Sequence, residues 1–397
     1  MRMDVDVLVI GGGPVGCTVA RFAALGGTHT LIVEKRSEIG SPVRCGEGIA
    51  PDIFDEIGIT KDSRWVRNTV DGARFISPAG HMWVIEGEAV SEEVGLVIDR
   101  DKFDKVMALH ALDEGAKLML RTHIEELIVD GGKVTGARGK YMGQDIEIAA
   151  KVVIAADGYE SVLAGQVGID TRLESKDVET CLQYTLGGVV NQDRYCDFYF
   201  GNSVVPGGYI WIFPKSASEV NVGLGLLLSK VEKKGAVKEY LDGFIKDHPV
   251  LSKGSAISMV AGGVSVSMPI KTTVADGFIV VGDAARMVDP LSGGGLANGM
   301  LAAKIAGEVA AKAVKSGNVS AETLAEYDTS WRKRLEEKMY RNYLTKELLL
   351  KQSDETVDKV IETLGNTKME NVGTFEIIQA IAEKHPDVVK EIEKFFI

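Results

Sequence analysis

The residues able to do chemistry fall in a few short stretches. Gly11-Gly12-Gly13-Pro14-Val15-Gly16 spaces three glycines as G-x-G-x-x-G, directly after the apolar run 5–10. Gly11 permits a tight turn, Gly13 lets the backbone approach a pyrophosphate, and Gly16 lets helix and strand pack closely. The N–H groups opening the next helix would face phosphates, where the helix dipole favours negative charge. Glu34 ends the following apolar run, placed to accept hydrogen bonds from ribose hydroxyls and to repel a 2′-phosphate. Asp157-Gly158 and Gly282-Asp283 repeat the theme of an apolar run ending in Gly and Asp. Cys45 lies between Arg44 and Gly46 in a Gly- and Pro-punctuated segment, and an adjacent guanidinium makes a thiol reactive. Tyr209, Trp211 and Phe213 alternate, so in a strand they share one face. That face is either a sandwich core or an apolar wall for a ligand.

These residues need elements to hold them. Residues 5–10 and 30–33 read as buried strands around a helix near 17–25, which is a βαβ unit. A helix opens near residue 99, where Asp99 or Asp101 can cap it. Asp130-Gly131-Gly132 is a hairpin signal between two strand-like runs. Residues 151–156 and 278–281 are further buried strands. Between about 180 and 266 strand-like runs dominate, with a helix over 235–248. A long helix follows from about 297, and 320–397 is helical in pattern. The expected class is α/β (α+β): a Rossmann-like dinucleotide-binding domain over 1–70, 100–178 and 268–316, an inserted antiparallel-sheet substrate domain over 71–99 and 179–267, and a helical C-terminal domain over 317–397.

Composition narrows the function. The chain has 397 residues, 45% hydrophobic and 26% charged, an ordinary globular balance, and its net charge of -12 speaks against a nucleic-acid partner. The four cysteines form no C-x-x-C, and the six histidines show no ligand spacing, so no metal site is expected. The first strand begins too early for a signal peptide, and no apolar run reaches the roughly 18–20 residues of a membrane span. The expectation is a cytoplasmic protein with reduced thiols, with peripheral contact at the inner face of the membrane left open. Arg332, Lys333, Arg334, Lys338 and Arg341 form a basic stretch: a solvated helix face, or a phosphate-recognition patch in which Arg341 meets a lipid head group.

Three acid-and-glycine segments in this order resemble the p-hydroxybenzoate hydroxylase-like superfamily of FAD proteins. The resemblance implies a cofactor-binding set of Gly11, Gly13, Val15, Gly16, Glu34, Arg44, Cys45, Gly46, Gly48, Arg100, Ile124, Asp157, Gly158, Asp283, Gly294, Gly295 and Leu296. In it Asp283 holds a ribityl hydroxyl and the helix after Gly295 points at the flavin ring. Pro42-Val43-Arg44-Cys45-Gly46-Glu47-Gly48 and Tyr209-Ile210-Trp211-Ile212-Phe213-Pro214-Lys215 narrow it further. Together they resemble the geranylgeranyl reductase family, of the archaeal digeranylgeranylglycerophospholipid type. This implies an FAD-dependent reductase that saturates geranylgeranyl C=C bonds in membrane-lipid precursors, with hydride from flavin N5 in an apolar tunnel. Cys45 would stand beside the flavin, shaping the pocket or relaying a proton. Tyr209, Trp211 and Phe213 would wall the substrate, with Pro214 and Lys215 ending the strand at the cavity mouth. The electron donor stays open between ferredoxin, NADPH and a reduced deazaflavin. Two alternatives share these motifs: a flavin-dependent aromatic hydroxylase or halogenase, and a non-catalytic flavin-bearing lipid carrier.

Overall fold

The strand Arg2–Ile10 is the axis of the larger sheet, and its last four residues are all buried. Such a continuous apolar run is what a strand flanked by parallel neighbours requires. Val9 stands opposite Ile32 on one side and Ile154 on the other, and Ile154 stands opposite Ile279. The strands Arg2–Ile10, Thr30–Val33, Gln144–Ala155 and Phe278–Val280 therefore end level. Lys117–Met119 extends the sheet beyond Thr30–Val33, and Val274–Ala275 extends it beyond Phe278–Val280. The hairpin Thr122–Asp130 and Lys133–Tyr141 pairs onto Gln144–Ala155, turning through Gly131 and Gly132 as expected. Early and late strands meet at Arg2–Ile10, so ligand space lies beyond the carboxyl ends at this switch point. The computed structural model describes residues 1–86, 95–190, 194–367, 380–381 and 383–385.

A second, seven-stranded sheet runs in the order Ser255–Ser265, Val178–Gly187, Glu219–Leu227, Tyr209–Ser216, Tyr195–Phe200, Gly72–Ile76 and Met82–Glu86. Every pair is antiparallel except Gly72–Ile76 against Tyr195–Phe200, which is parallel. Leu96–Ile98 does not join this sheet. It pairs with Gly48–Ile49 and Val66–Thr69 in a small third sheet. This joins the cysteine segment to the substrate-side strands, a connection between distant residues that local patterning does not show.

Helices Pro14–Leu25 and Leu296–Ser316 pack closely, with Gly307 against the Val19 carbonyl and Gly299 against Val15. Helix Arg100–Asp113 follows Asp99, whose side chain makes no cap bond because Lys102 and Lys215 engage it instead. Helix Ala321–Leu349 is capped by Ser320, which accepts the Thr323 N–H. Its Leu324, Tyr327, Trp331, Leu335 and Met339 form one buried stripe within the main hydrophobic core. The C-terminal helix is thus part of the larger core rather than the centre of its own. Of the segments expected to form the substrate and C-terminal domains, 87–94, 191–193, 368–379, 382 and 386–397 lie outside the described residues.

Candidate functional site

The glycine turn is built as its spacing demands. Gly11 has φ +113°, and a Cβ there would collide with the Ala156 carbonyl. A Cβ on Gly16 would collide with the Gly11 carbonyl, so the turn admits only glycine at both points. At Gly13 and Gly158 an added Cβ would project into open space, which leaves a cradle above the strand ends. Glu34 sits at its rim, accepting N–H bonds from Gly12 and Arg36, each at 2.8 Å. Val15 packs under Gly282, which ties the first motif to the third. Ile124 is buried in the core, two residues beyond Thr122, whose N–H meets the Glu34 carbonyl at 2.8 Å.

Asp157 and Asp283 follow the ends of strands Gln144–Ala155 and Phe278–Val280. Asp157 Oδ1 is buried and has no hydrogen-bond partner among the described residues, and burial pushes the Asp157 carboxyl above its ordinary value. Burial raises Asp283 in the same sense, with Arg100 and Arg286 acting against it. Arg286, at φ +60°, donates to the carbonyls of Tyr159 at 2.8 Å and of Thr171, binding the second motif to the third. The loop before Leu296–Ser316 is wound around Asp289. Its Oδ1 accepts N–H bonds from Leu291 at 3.0 Å and Ser292 at 2.9 Å, and Asn342 of the long helix donates to Oδ2 at 2.5 Å. This leaves Gly294 exposed, its N–H donating to the Ser292 hydroxyl at 3.4 Å, and leaves the first N–H groups of the helix, from Gly295 and Leu296 onward, without intrahelical partners.

The cysteine segment is clamped by a buried ion cluster. Lys215 Nζ lies 2.6 Å from Glu47 Oε2 and 2.7 Å from Asp99 Oδ1. Glu47 also accepts the Asn221 amide at 2.7 Å and the Arg100 N–H at 2.8 Å. The strand expected to end at Pro214 and Lys215 in fact runs to Ser216, and Lys215 is buried in this cluster rather than placed at a mouth. Two opposing carboxylates make a buried ammonium affordable there. Cys45, half-buried, accepts the Glu47 N–H through its sulfur at 3.3 Å. Its sulfur also lies beside the Arg100 guanidinium. Burial alone would lower Arg100, but Asp104, bonded at 2.7 Å, and Cys45 hold it above its ordinary value. Gly46 fits against the Phe213 ring, and Gly48 opens the short strand that pairs with Leu96–Ile98.

Tyr209, Trp211 and Phe213 do share one face, and it is the face the cysteine segment meets. Gln183 joins the two, accepting the Trp211 indole N–H at 2.8 Å and donating to the Cys45 carbonyl at 3.0 Å. Tyr209 donates its hydroxyl to the Ser292 carbonyl, so the row also touches the glycine loop. The face is wider than the sequence suggests. Phe198 lies 5.6 Å from Phe213 and 5.5 Å from Phe75, and Phe75 lies 5.2 Å from Trp83, ring centre to ring centre. Phe200 packs on Tyr209 at 5.6 Å. Alternation of Cys196, Phe198 and Phe200 was the available signal, but only pairing across strands assembles the slab. Phe75, Trp83, Phe198, Phe200 and Tyr209 are each only partly buried. Arg44 is exposed, with its side chain alongside Gly262. The basic stretch is largely committed, Arg332 to Asp328 and Glu336 and Arg334 to Glu56. Arg341 stays exposed on that helix, and no described contact brings it to the aromatic face.

The comparisons fit this arrangement. Residues 177–264 match the geranylgeranyl reductase catalytic domain and residues 4–199 the FAD binding domain. The digeranylgeranylglycerophospholipid reductase of Picrophilus torridus is 41% identical, over 99% of both chains. That of Thermoplasma volcanium is 42% identical over 98% of both. The chain belongs to the geranylgeranyl reductase family. The solved structure of a geranylgeranyl bacteriochlorophyll reductase-like protein from Thermoplasma acidophilum superposes with a TM-score of 0.94 at 40% identity, covering 100% of both chains. A p-nitrophenol 4-monooxygenase from Pseudomonas putida, 19% identical, shares the fold with a TM-score of 0.75, covering 99% of this chain and 98% of that one. The family's α/β flavoprotein fold with an inserted sheet is therefore the fold of this chain. Its residues suit FAD on their own chemistry: an open glycine cradle with the Asp157 motif beside it for the pyrophosphate, Glu34 for the adenosine end, and the Asp283 carboxyl group for a sugar-alcohol hydroxyl.

Proposed function

We propose that this protein is an FAD-dependent reductase that saturates the C=C bonds of geranylgeranyl chains in archaeal membrane-lipid precursors. The observation that carries this is the junction of an aromatic slab with the cradle through Gln183, the cysteine segment and Tyr209. An isolated alkene has no carbonyl to polarise, so the protein must act by positioning and by excluding water. Bound reduced FAD supplies the hydride. Glu34 would hold the adenosine ribose, the residues 11–16 turn the pyrophosphate, and Asp283 the ribityl chain. Gly294, Gly295 and Leu296 would present N–H groups to the pyrimidine edge of the flavin. Tyr209, Trp211 and Phe213 would hold the prenyl chain, and Cys45 would close the slot beside the reacting bond.

The division of labour proposed with it is an FAD-binding part in 1–70, 100–178 and 268–316, a substrate part in 71–99 and 179–267, and a helical C-terminal part in 317–397. No helix among the described residues is long and apolar enough to cross a membrane. The proposed setting is the cytoplasmic side, with the protein drawing its lipid from the inner face of the membrane. The reductant is ferredoxin, NADPH or a reduced deazaflavin. Protein reduced anaerobically with dithionite and given a digeranylgeranylglycerophospholipid should yield products heavier by one dihydrogen per bond. Addition of oxygen to the lipid, or oxidation of the flavin with no gain in lipid mass, would refute the proposal.

A further inference from the structure

Glu179 is a buried acid whose carboxyl group accepts no hydrogen bond from the described residues. It lies on Val178–Gly187, only 8% exposed, and no donor among the described residues reaches its carboxyl group. Its place is defined by a glycine. A Cβ on Gly225 would collide with Glu179 Oε2, so the carboxyl lies directly over Gly225. Gly225 stands opposite Tyr209 on one side and Cys181 on the other. Directly opposed residues of antiparallel strands project to the same face. The carboxyl group therefore shares the face of Tyr209. Two residues along the same strand, Gly223 makes identical room for the Trp211 ring. Glu179 and Trp211 thus lie side by side over a pair of glycines. Gly293 of the flavin-side loop approaches both the Tyr209 hydroxyl and Val264, the residue paired with Glu179.

We infer that Glu179 is the acid that donates the proton completing each C=C reduction. The inference rests on the reductase function proposed above. Its O–H bond breaks as a C–H bond forms at the less substituted alkene carbon, using the π electron pair. Positive charge then builds at the tertiary carbon, where a hydride from a reduced flavin forms the second C–H bond. The carboxylate left behind takes its proton back from water, and the flavin is left oxidised by two electrons. Tyr209 and Trp211, on the sheet face the carboxyl group shares, supply the aromatic rings that stabilise the developing cation. Burial favours the neutral, proton-bearing acid and pushes Glu179 up to about 7, with Lys346 acting against it. The titratable groups facing it are Lys346 from the long helix, Cys181 from its own strand and Tyr209 across the sheet. Strand Glu219–Leu227 presents Gly225 and Leu227 there, and strand Ser255–Ser265 presents Val264 and, opposite Cys181, Gly262, alongside which the Arg44 side chain lies. Cys45 is less suited to give the proton, since its sulfur already accepts the Glu47 N–H and sits against Arg100.

Two measurements decide the matter. The infrared band of a protonated carboxyl should titrate near neutral pH in FAD-loaded wild-type protein without lipid, and should be missing from Glu179→Gln. Its absence from wild type would overturn the assignment. In anaerobic single turnovers, wild-type lipid reduction should slow as pH rises through about 7, because the acid form is lost. Glu179→Gln should reduce lipid on the order of 10²-fold more slowly at every pH, with unchanged FAD affinity and a flat pH profile. Glu179→Asp should recover part of the rate and a sloping profile. Wild-type rates and pH dependence in Glu179→Gln would refute the role. Wild-type protein inactive on every prenyl lipid would instead refute the reductase function itself, while the infrared band would still report the acid.

Discussion

At the residue scale the site is a set of side chains whose partners are deliberately few. Asp283 is the clearest of the proposed cofactor ligands, since burial penalises its charge and no hydrogen bond from the described residues offsets that cost. A ribityl hydroxyl would. Asp283→Ala should therefore weaken FAD binding by roughly 10- to 100-fold, the equivalent of about 1.5–3 kcal/mol for a hydrogen bond to a charged group. Quenching of flavin fluorescence on titration reads this directly. Gly223 is the second test at this scale. An added methyl would strike the Trp211 ring, so Gly223→Ala should tilt the indole, break its bond to Gln183 and slow lipid reduction while FAD affinity stays within about twofold. Asp283 could be singled out as a candidate in the sequence because a short acid after a buried strand is a local signal. Glu179 was not, because nothing in its neighbours along the chain shows that a glycine forty-six residues later makes room for it.

At the element scale, loops are held in place by residues that touch no ligand. Asp289 winds the glycine loop, and the long helix braces it through Asn342. Asp289→Ala should loosen the loop and lower FAD affinity several-fold while costing about 1–3 kcal/mol of stability through unpaired N–H groups. Calorimetric titration and thermal melting separate the two effects. The Lys215 cluster does the same for the cysteine segment. Burial alone would lower Lys215, but Glu47 and Asp99 raise it, so its contribution is complete below pH 10.5 and is lost only as pH rises through the folded value. Burial would raise Asp99, but Lys102 and Lys215 lower it, so its contribution holds above pH 3.8 and is lost as pH falls through the folded value. Lys215→Met should cost about 3–5 kcal/mol by stranding two buried carboxylates. The difference in melting temperature from wild type should shrink as pH falls into the acid range, because the stranded carboxyl groups of the variant take up protons there before those of wild type do.

At the scale of the whole molecule, the cysteine segment and its small third sheet link the two larger sheets. The aromatic slab crosses four strands, from Phe213 beside Gly46 to Trp83 near the last described helix, Asp354–Gly365. A slab of that reach suits a long chain that must be held at several positions. Phe75→Ala and Phe198→Ala should leave FAD binding unchanged and shift the product mixture toward partly saturated lipids, as mass spectra of timed samples would show. Equal loss at every bond would count against a guiding role. By itself, the sequence determined the cofactor and the family. A βαβ turn, two strand-terminal acids and a cysteine motif are contiguous patterns, each fixed by local backbone sterics and periodicity. The tertiary structure alone decided what those patterns face. Strand pairing put Phe75, Trp83, Phe198 and Phe200 beside the expected aromatic row, and burial turned Lys215 from a strand end into a clamp. The same pairing placed the Glu179 carboxyl over Gly225. These are relations between residues distant along the chain, set by register and desolvation, and neither is written in local sequence.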